Sequence, residues 1–182
     1  MYSIEPAYIV RDQLIRVLMK ASTDPENKWF FTDGAFVAEN QIERLPNTWN
    51  SENFVVVAGA EIIAYFEGIW NKPLNIISSL RLLLIDKTQK VTFTKAVFQF
   101  LDYLFIARGA KAINWIVAEK NYKARNTYEK FIKKYFGHII GKRHFGQKAY
   151  DGELSDILLF EVLQTEYFAW KNCKHIEVDS KT

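Results

Sequence analysis

Apolar positions recur along this chain with two periods, and the changes from one period to the other mark out its elements. Val10, Leu14, Val17 and Leu18 fall on one face of a helix predicted over about 6–20, with Pro6 suited to the first helical position. Asp24-Pro25 reads as a turn. Ala35, Ala38, Ile42 and Leu45 are spaced for a short helix that stops near Pro46, and Trp29, Phe30, Phe31 and Trp49 are expected as packed core or cleft lining. The pattern then shortens to strands. They are predicted over 54–58, over 62–70 after the Gly59 turn, and over 75–85, whose apolar end LRLLLI suits a buried central strand. Helical spacing returns over 92–107, where Phe93, Ala96, Val97, Phe100, Leu101, Leu104 and Phe105 form one stripe before Gly109. A strand over 112–118 leads to a helix over 121–136. That helix carries Ala124, Tyr128, Phe131, Ile132 and Tyr135 on one side and lysines and Arg125 mostly on the other. A hairpin follows, 138–150 and 156–163 around Asp151-Gly152, and 171–182 reads as a polar tail after a single domain over 1–170. Strands and helices alternate only in the middle, which is an α+β pattern.

Composition narrows the function classes. The 182 residues hold 24 Lys and Arg against 21 Asp and Glu, a net charge of +3, too mild to imply nucleic acid but compatible with a local site for an anion. The single cysteine, Cys173, excludes an intrachain disulfide. No apolar run reaches the roughly 18 residues of a membrane span, and the N-terminus carries no cleavage signature, so the expected compartment is the cytoplasm. His138, His144 and His175 lack metal-ligand spacing, and no Ser-His-Asp or Cys-His arrangement emerges.

The block Asn121-x-x-Ala124-x-x-x-Tyr128-Glu129-Lys130 carries the most information. Together with the preceding helix and strand and the closing FGHIIGKRHFGQKAYDGELSDILLFEV, it resembles the Gcn5-related N-acetyltransferase (GNAT) superfamily over residues 80–163. The resemblance implies a GNAT-like fold, a central mixed and mostly antiparallel β-sheet flanked by helices. It also implies transfer of an acetyl group from acetyl-CoA to an amine of a protein N-terminus or small molecule.

Such enzymes hold the cofactor pyrophosphate on backbone amides at a helix N-terminus, where the macrodipole favours anions. By this resemblance the cofactor-binding residues are Leu84, Ile85, Lys90, Val91, Thr92, Phe93, Thr94 and Asn121. The family writes its phosphate loop as Gln/Arg-x-x-Gly-x-Gly/Ala, whereas Thr88, Val91 and Phe93 stand at those positions here. If Val91 and Phe93 fill the slot between 80–85 and 112–118, cofactor is shut out. If the slot is open, the amides of 90–94 are free to face it. Tyr128 stands where the family has a proton donor to the leaving sulfur, and its position equally suits a core aromatic. Asn121 reads as an N-cap or a cofactor contact. Glu67 and Glu119, on or beside strands, are the candidate general bases or rim carboxylates. The degenerate loop leaves a second reading open: a catalytically inactive GNAT-fold structural or interaction module, working as a homo-oligomer or within a protein assembly.

Overall fold

The computed structural model describes residues 1–31, 50–149 and 151–179. Seven strands form one sheet: β1 (Tyr2–Pro6), β2 (Ser51–Ala58), β3 (Glu61–Asn71), β4 (Ile76–Leu84), β5 (Ala112–Ala118), β6 (His138–Lys148) and β7 (Leu154–Leu163). Their order across the sheet is β1-β2-β3-β4-β5-β7-β6. Every pair is antiparallel except β4 with β5. The helices are α1 (Arg11–Ser22), α2 (Lys90–Asp102), α3 (Tyr122–Lys134) and α4 (Gln164–Asp179). The architecture is therefore α+β with a mixed, mostly antiparallel sheet, as expected.

Strand alternation sorts the core onto two faces. Val55, Tyr65 and Leu83 lie opposite one another on β2, β3 and β4 and pack against Leu14, Ile15 and Leu18 of α1. On the other face, Phe66 stacks on Phe100 of α2 at 5.2 Å, and Trp115 of β5 stacks on Phe160 of β7 at 5.3 Å beneath α3. Within the described residues no helix is long and apolar enough to cross a membrane.

Two expectations are corrected and one is refined. The N-terminal helix starts later than Pro6, because residues 2–6 form an edge strand on β2, with Pro6 opposite Phe54. Proline lacks an N–H and is tolerated at such an edge. The 92–107 helix ends in a π-helical turn, closed by Arg108 N–H donating to the Tyr103 carbonyl at 2.9 Å. Finally, residues 171–179, expected as part of a polar tail, belong to α4, which runs from Gln164 to Asp179. Tyr167 anchors it, buried against Phe105 at 4.8 Å and donating to Asp102 at 2.6 Å. The short helix expected over 35–45, Trp49 and Tyr150 lie outside the described residues.

Candidate active site

β4 and β5 are neighbours for only two residue pairs, Ile76 with Ala112 and Ile77 with Ile113. Beyond them the parallel strands diverge, while each keeps its outer partner: Leu84 still pairs with Ala64 of β3, and Ala118 with Ile157 of β7. The sheet therefore opens into two limbs, β1–β4 and β5–β7–β6, whose facing backbone edges make no ladder. Unpaired strand edges inside a sheet are costly unless a ligand or solvent takes the free groups, and parallel strands that part at their carboxyl ends form a crevice suited to a ligand.

α2 starts at the mouth of this opening. Its N-cap, Gln89, makes no side-chain capping bond, and the first helical donor is Phe93 N–H to the Gln89 carbonyl at 2.8 Å. Among the described residues the amides of Lys90, Val91 and Thr92 have no acceptor, so a helix end with its orphan donors faces outward. The two bulky residues at this helix start, Val91 and Phe93, stay clear of those amides. Val91 is 71% exposed, and Phe93 turns under the helix to meet Phe66 edge-on at 5.7 Å. The loop before the helix is shaped by Asp86, whose carboxylate accepts from Thr88 N–H at 2.9 Å and its hydroxyl at 2.7 Å. Thr94 spends its hydroxyl on the Lys90 carbonyl, and Thr92 donates to the Gln89 side chain. Ile85 N–H bonds the Ile63 carbonyl and its side chain packs towards α1, whereas Leu84 ends β4 at the rim.

Across the opening, Asn121 caps α3: its Oδ1 accepts from Ala124 N–H at 3.2 Å. Seven residues on, Tyr128 lies over Trp115 at 5.4 Å and Phe160 at 5.9 Å. Trp115 is two residues past the last β4–β5 pair, so the Tyr128 ring stands beside the point of divergence. Burial pushes its phenol up to about 12, and its hydroxyl has no hydrogen-bond partner among the described residues. A protonated, unpaired hydroxyl is available to a ligand.

The two carboxylates are on opposite limbs. Glu67 of β3 faces Arg81 of β4 at 3.3 Å. Glu119, just past β5, accepts from Lys142 at 2.9 Å. The structure does not bring them together. Glu67 shares its neighbourhood with a feature that the sequence did not reveal. Residues 28–31 cross from one limb to the other. The Trp29 carbonyl accepts from Gln147 of β6 at 2.8 Å, and the next carbonyl, Phe30, accepts from Arg81 of β4. Trp29 packs on Ala118 and Ala149, while Phe31 joins the α1 core. Lys28 bonds Asp151 at 2.9 Å and Glu153 at 2.5 Å. This strap bridges the opening, with Arg81 and Glu67 beneath it.

A cavity of about 250 Å³ lies elsewhere, at the paired end of β4, lined by Trp70, Lys72, Asn75 and Arg108. It holds none of the residues above, and Arg108 there is neutralised by buried Glu52 at 2.8 Å. Among the described residues no group of His, Cys, Asp and Glu is placed to hold a metal ion.

No family model and no curated protein matches the sequence. Solved structures do match. A spermidine N-acetyltransferase from Vibrio cholerae, in complex with CoA and spermine, is 20% identical with a TM-score of 0.75, over 92% of this chain and 98% of that one. A chimera of the Vibrio cholerae enzyme is 18% identical with a TM-score of 0.74, over 92% and 98%. A provisionally assigned acetyltransferase from T. thermophilus is 19% identical with a TM-score of 0.72, over 97% and 93%. Identities this low speak to architecture rather than substrate. With the divergent β4–β5 pair and the motif helix beside it, they establish that this chain has the fold of the GNAT acetyltransferases.

Proposed function

We propose that the protein is an acyl-CoA-dependent N-acyltransferase of the GNAT type that acetylates an amine, with the β4–β5 opening as its cofactor slot. One observation carries this reading most: among the described residues, neither Val91 nor Phe93 covers the slot mouth. Val91 points to solvent and Phe93 into the core, so the loss of the loop glycines does not block the free amides of Lys90, Val91 and Thr92. Those amides at the positive end of α2 suit a pyrophosphate, and the unpaired edges of β4 and β5 suit an amide-bearing pantetheine arm.

When bound, acetyl-CoA supplies a thioester whose acyl carbon is attacked by the amine and whose C–S bond then breaks. The protein's own groups manage the protons. Tyr128, protonated with its hydroxyl unpaired, gives its proton to the departing sulfur. Glu67 is the better placed base, because it lies on the strapped side of the opening; it takes the amine proton directly or through one water. Arg81 holds the Glu67 carboxylate and the Phe30 carbonyl together, fixing both. Glu119 is tied to Lys142 on the other limb and acts at the rim. A neighbouring fold that binds CoA and spermine supports a small amine as acceptor.

The test is calorimetry with acetyl-CoA, followed by thiol release in the presence of a panel of primary amines and N-terminal peptides. The reading predicts saturable one-site binding and amine-dependent CoA release. No binding at millimolar ligand refutes it.

A further inference from the structure

One exposed carboxylate joins the two lips of the opening. Glu26 Oε2 accepts from Lys87 Nζ at 2.6 Å, and Glu26 Oε1 accepts from Lys123 Nζ at 2.5 Å. Lys87 follows β4 and stands three residues before the free amide of Lys90; Lys123 lies in the first turn of α3, past β5. Asp24 adds a contact to Lys87 at 3.0 Å and caps the turn by accepting from Glu26 N–H at 2.9 Å. None of these side chains is buried, and Lys123 is 79% exposed, so packing does not explain why two strongly hydrated ammonium groups from separate elements converge. They converge on an anion. Lys123 first, and Lys87 next, hold the Glu26 carboxyl down from 4.5 to about 2, so the occupant stays charged at any working pH.

We propose that Lys87 and Lys123 form a two-lysine seat for a phosphate group of the ligand, and that Glu26 fills this seat until the phosphate displaces it. The proposal rests on the acyl-CoA reading above. A phosphate offers more charge and more acceptor oxygens than one carboxylate, so it wins the lysines. Because ion pairs are exchanged for ion pairs, the net cost of the exchange is small. It lowers the apparent affinity by the fraction of molecules in which the seat is free. Glu26 thus tunes how tightly the ligand is held and favours ligands that carry phosphate over the bare pantetheine arm. Releasing Glu26 also frees the tie it makes between the two lips of the opening.

The experiment titrates CoA, and pantetheine by displacement, into the full-length protein as wild type, Glu26→Gln, Lys123→Met and the double variant. Circular dichroism verifies that each is folded. Glu26→Gln keeps the side-chain shape and removes the charge. It should tighten CoA about three- to tenfold, the size expected for freeing a partly occupied site, and leave pantetheine unchanged. Lys123→Met should weaken CoA and erase the gain from Glu26→Gln in the double variant. If wild type binds CoA but Glu26→Gln binds equally or more weakly, Glu26 is a buttress and not an occupant, and the proposal is overturned. An equal gain for pantetheine overturns it as well. Failure of every variant to bind CoA overturns the acyl-CoA reading and the seat with it.

Discussion

Replacing Tyr128 with phenylalanine separates its two roles. The change removes one oxygen and keeps the ring, so the contacts to Trp115 at 5.4 Å and Phe160 at 5.9 Å persist. The hydroxyl has no partner among the described residues, so no internal hydrogen bond is lost. Stability should therefore move by no more than about 0.5 kcal/mol. Catalysis should respond far more. General acid assistance contributes about 10²- to 10⁴-fold, so kcat should fall at least about a hundredfold, or about 2.7 kcal/mol of barrier. With its phenol pushed up to about 12, Tyr128 stays protonated through the working range and adds no descending limb to the pH profile below about pH 11. The assay is single-turnover acyl transfer with thiol release as the readout, alongside thermal denaturation. A kcat within twofold of wild type, with an amine that turns over, would refute the proton-donor role. A stability loss above about 2 kcal/mol would show that the hydroxyl has a structural partner.

Further outcomes follow from the same geometry. Phe93→Gly brings the loop closer to the family pattern but removes the ring packed on Phe66, so it should cost about 3 kcal/mol or more in denaturant unfolding without improving CoA binding. Glu67→Gln should lower kcat with little change in CoA affinity by calorimetry; the opposite split would place Glu67 in the cofactor site. Gly137→Ala should destabilise by about 2 kcal/mol or more in chemical denaturation, because φ is +94° and an added Cβ would lie 2.7 Å from Val162 Cγ2 and 2.8 Å from the Glu161 carbonyl. The Glu26 pairs contribute stability that is fully present above pH 4.5 and lost as the pH falls through about 2. The acid limb of the stability curve should therefore flatten in Glu26→Gln.

Much of the fold was legible because local periodicity and turn chemistry specify it. The strand over 112–118 and the Asp151-Gly152 turn come out as read, and Asn121 caps its helix. β1 was missed because YSIEP alternates over only five residues, and its partner β2 lies some fifty residues away. α4 was missed because its anchor is the short aromatic group at 167–170, followed by a polar stretch that reads as tail. In the site, residue types at the start of α2 were readable but side-chain directions were not. The motif comparison gives Val91 and Phe93 as bulky, and only tertiary packing sends one outward and the other inward. The strap was invisible for a related reason. Its bonds join residues as far apart as Lys28 and Glu153, or Trp29 and Gln147, and no local pattern encodes such pairs.

The central claim is that the opening between β4 and β5, with the free amides of α2 at its mouth, receives coenzyme A. Backbone amide NMR during a CoA titration tests it most directly. The account predicts that the largest shifts fall on Lys90, Val91 and Thr92 and on the diverging halves of β4 and β5, with Tyr128 responding alongside. Shifts confined to the cavity of Trp70, Lys72 and Arg108, or no saturable shifts at all, would contradict it.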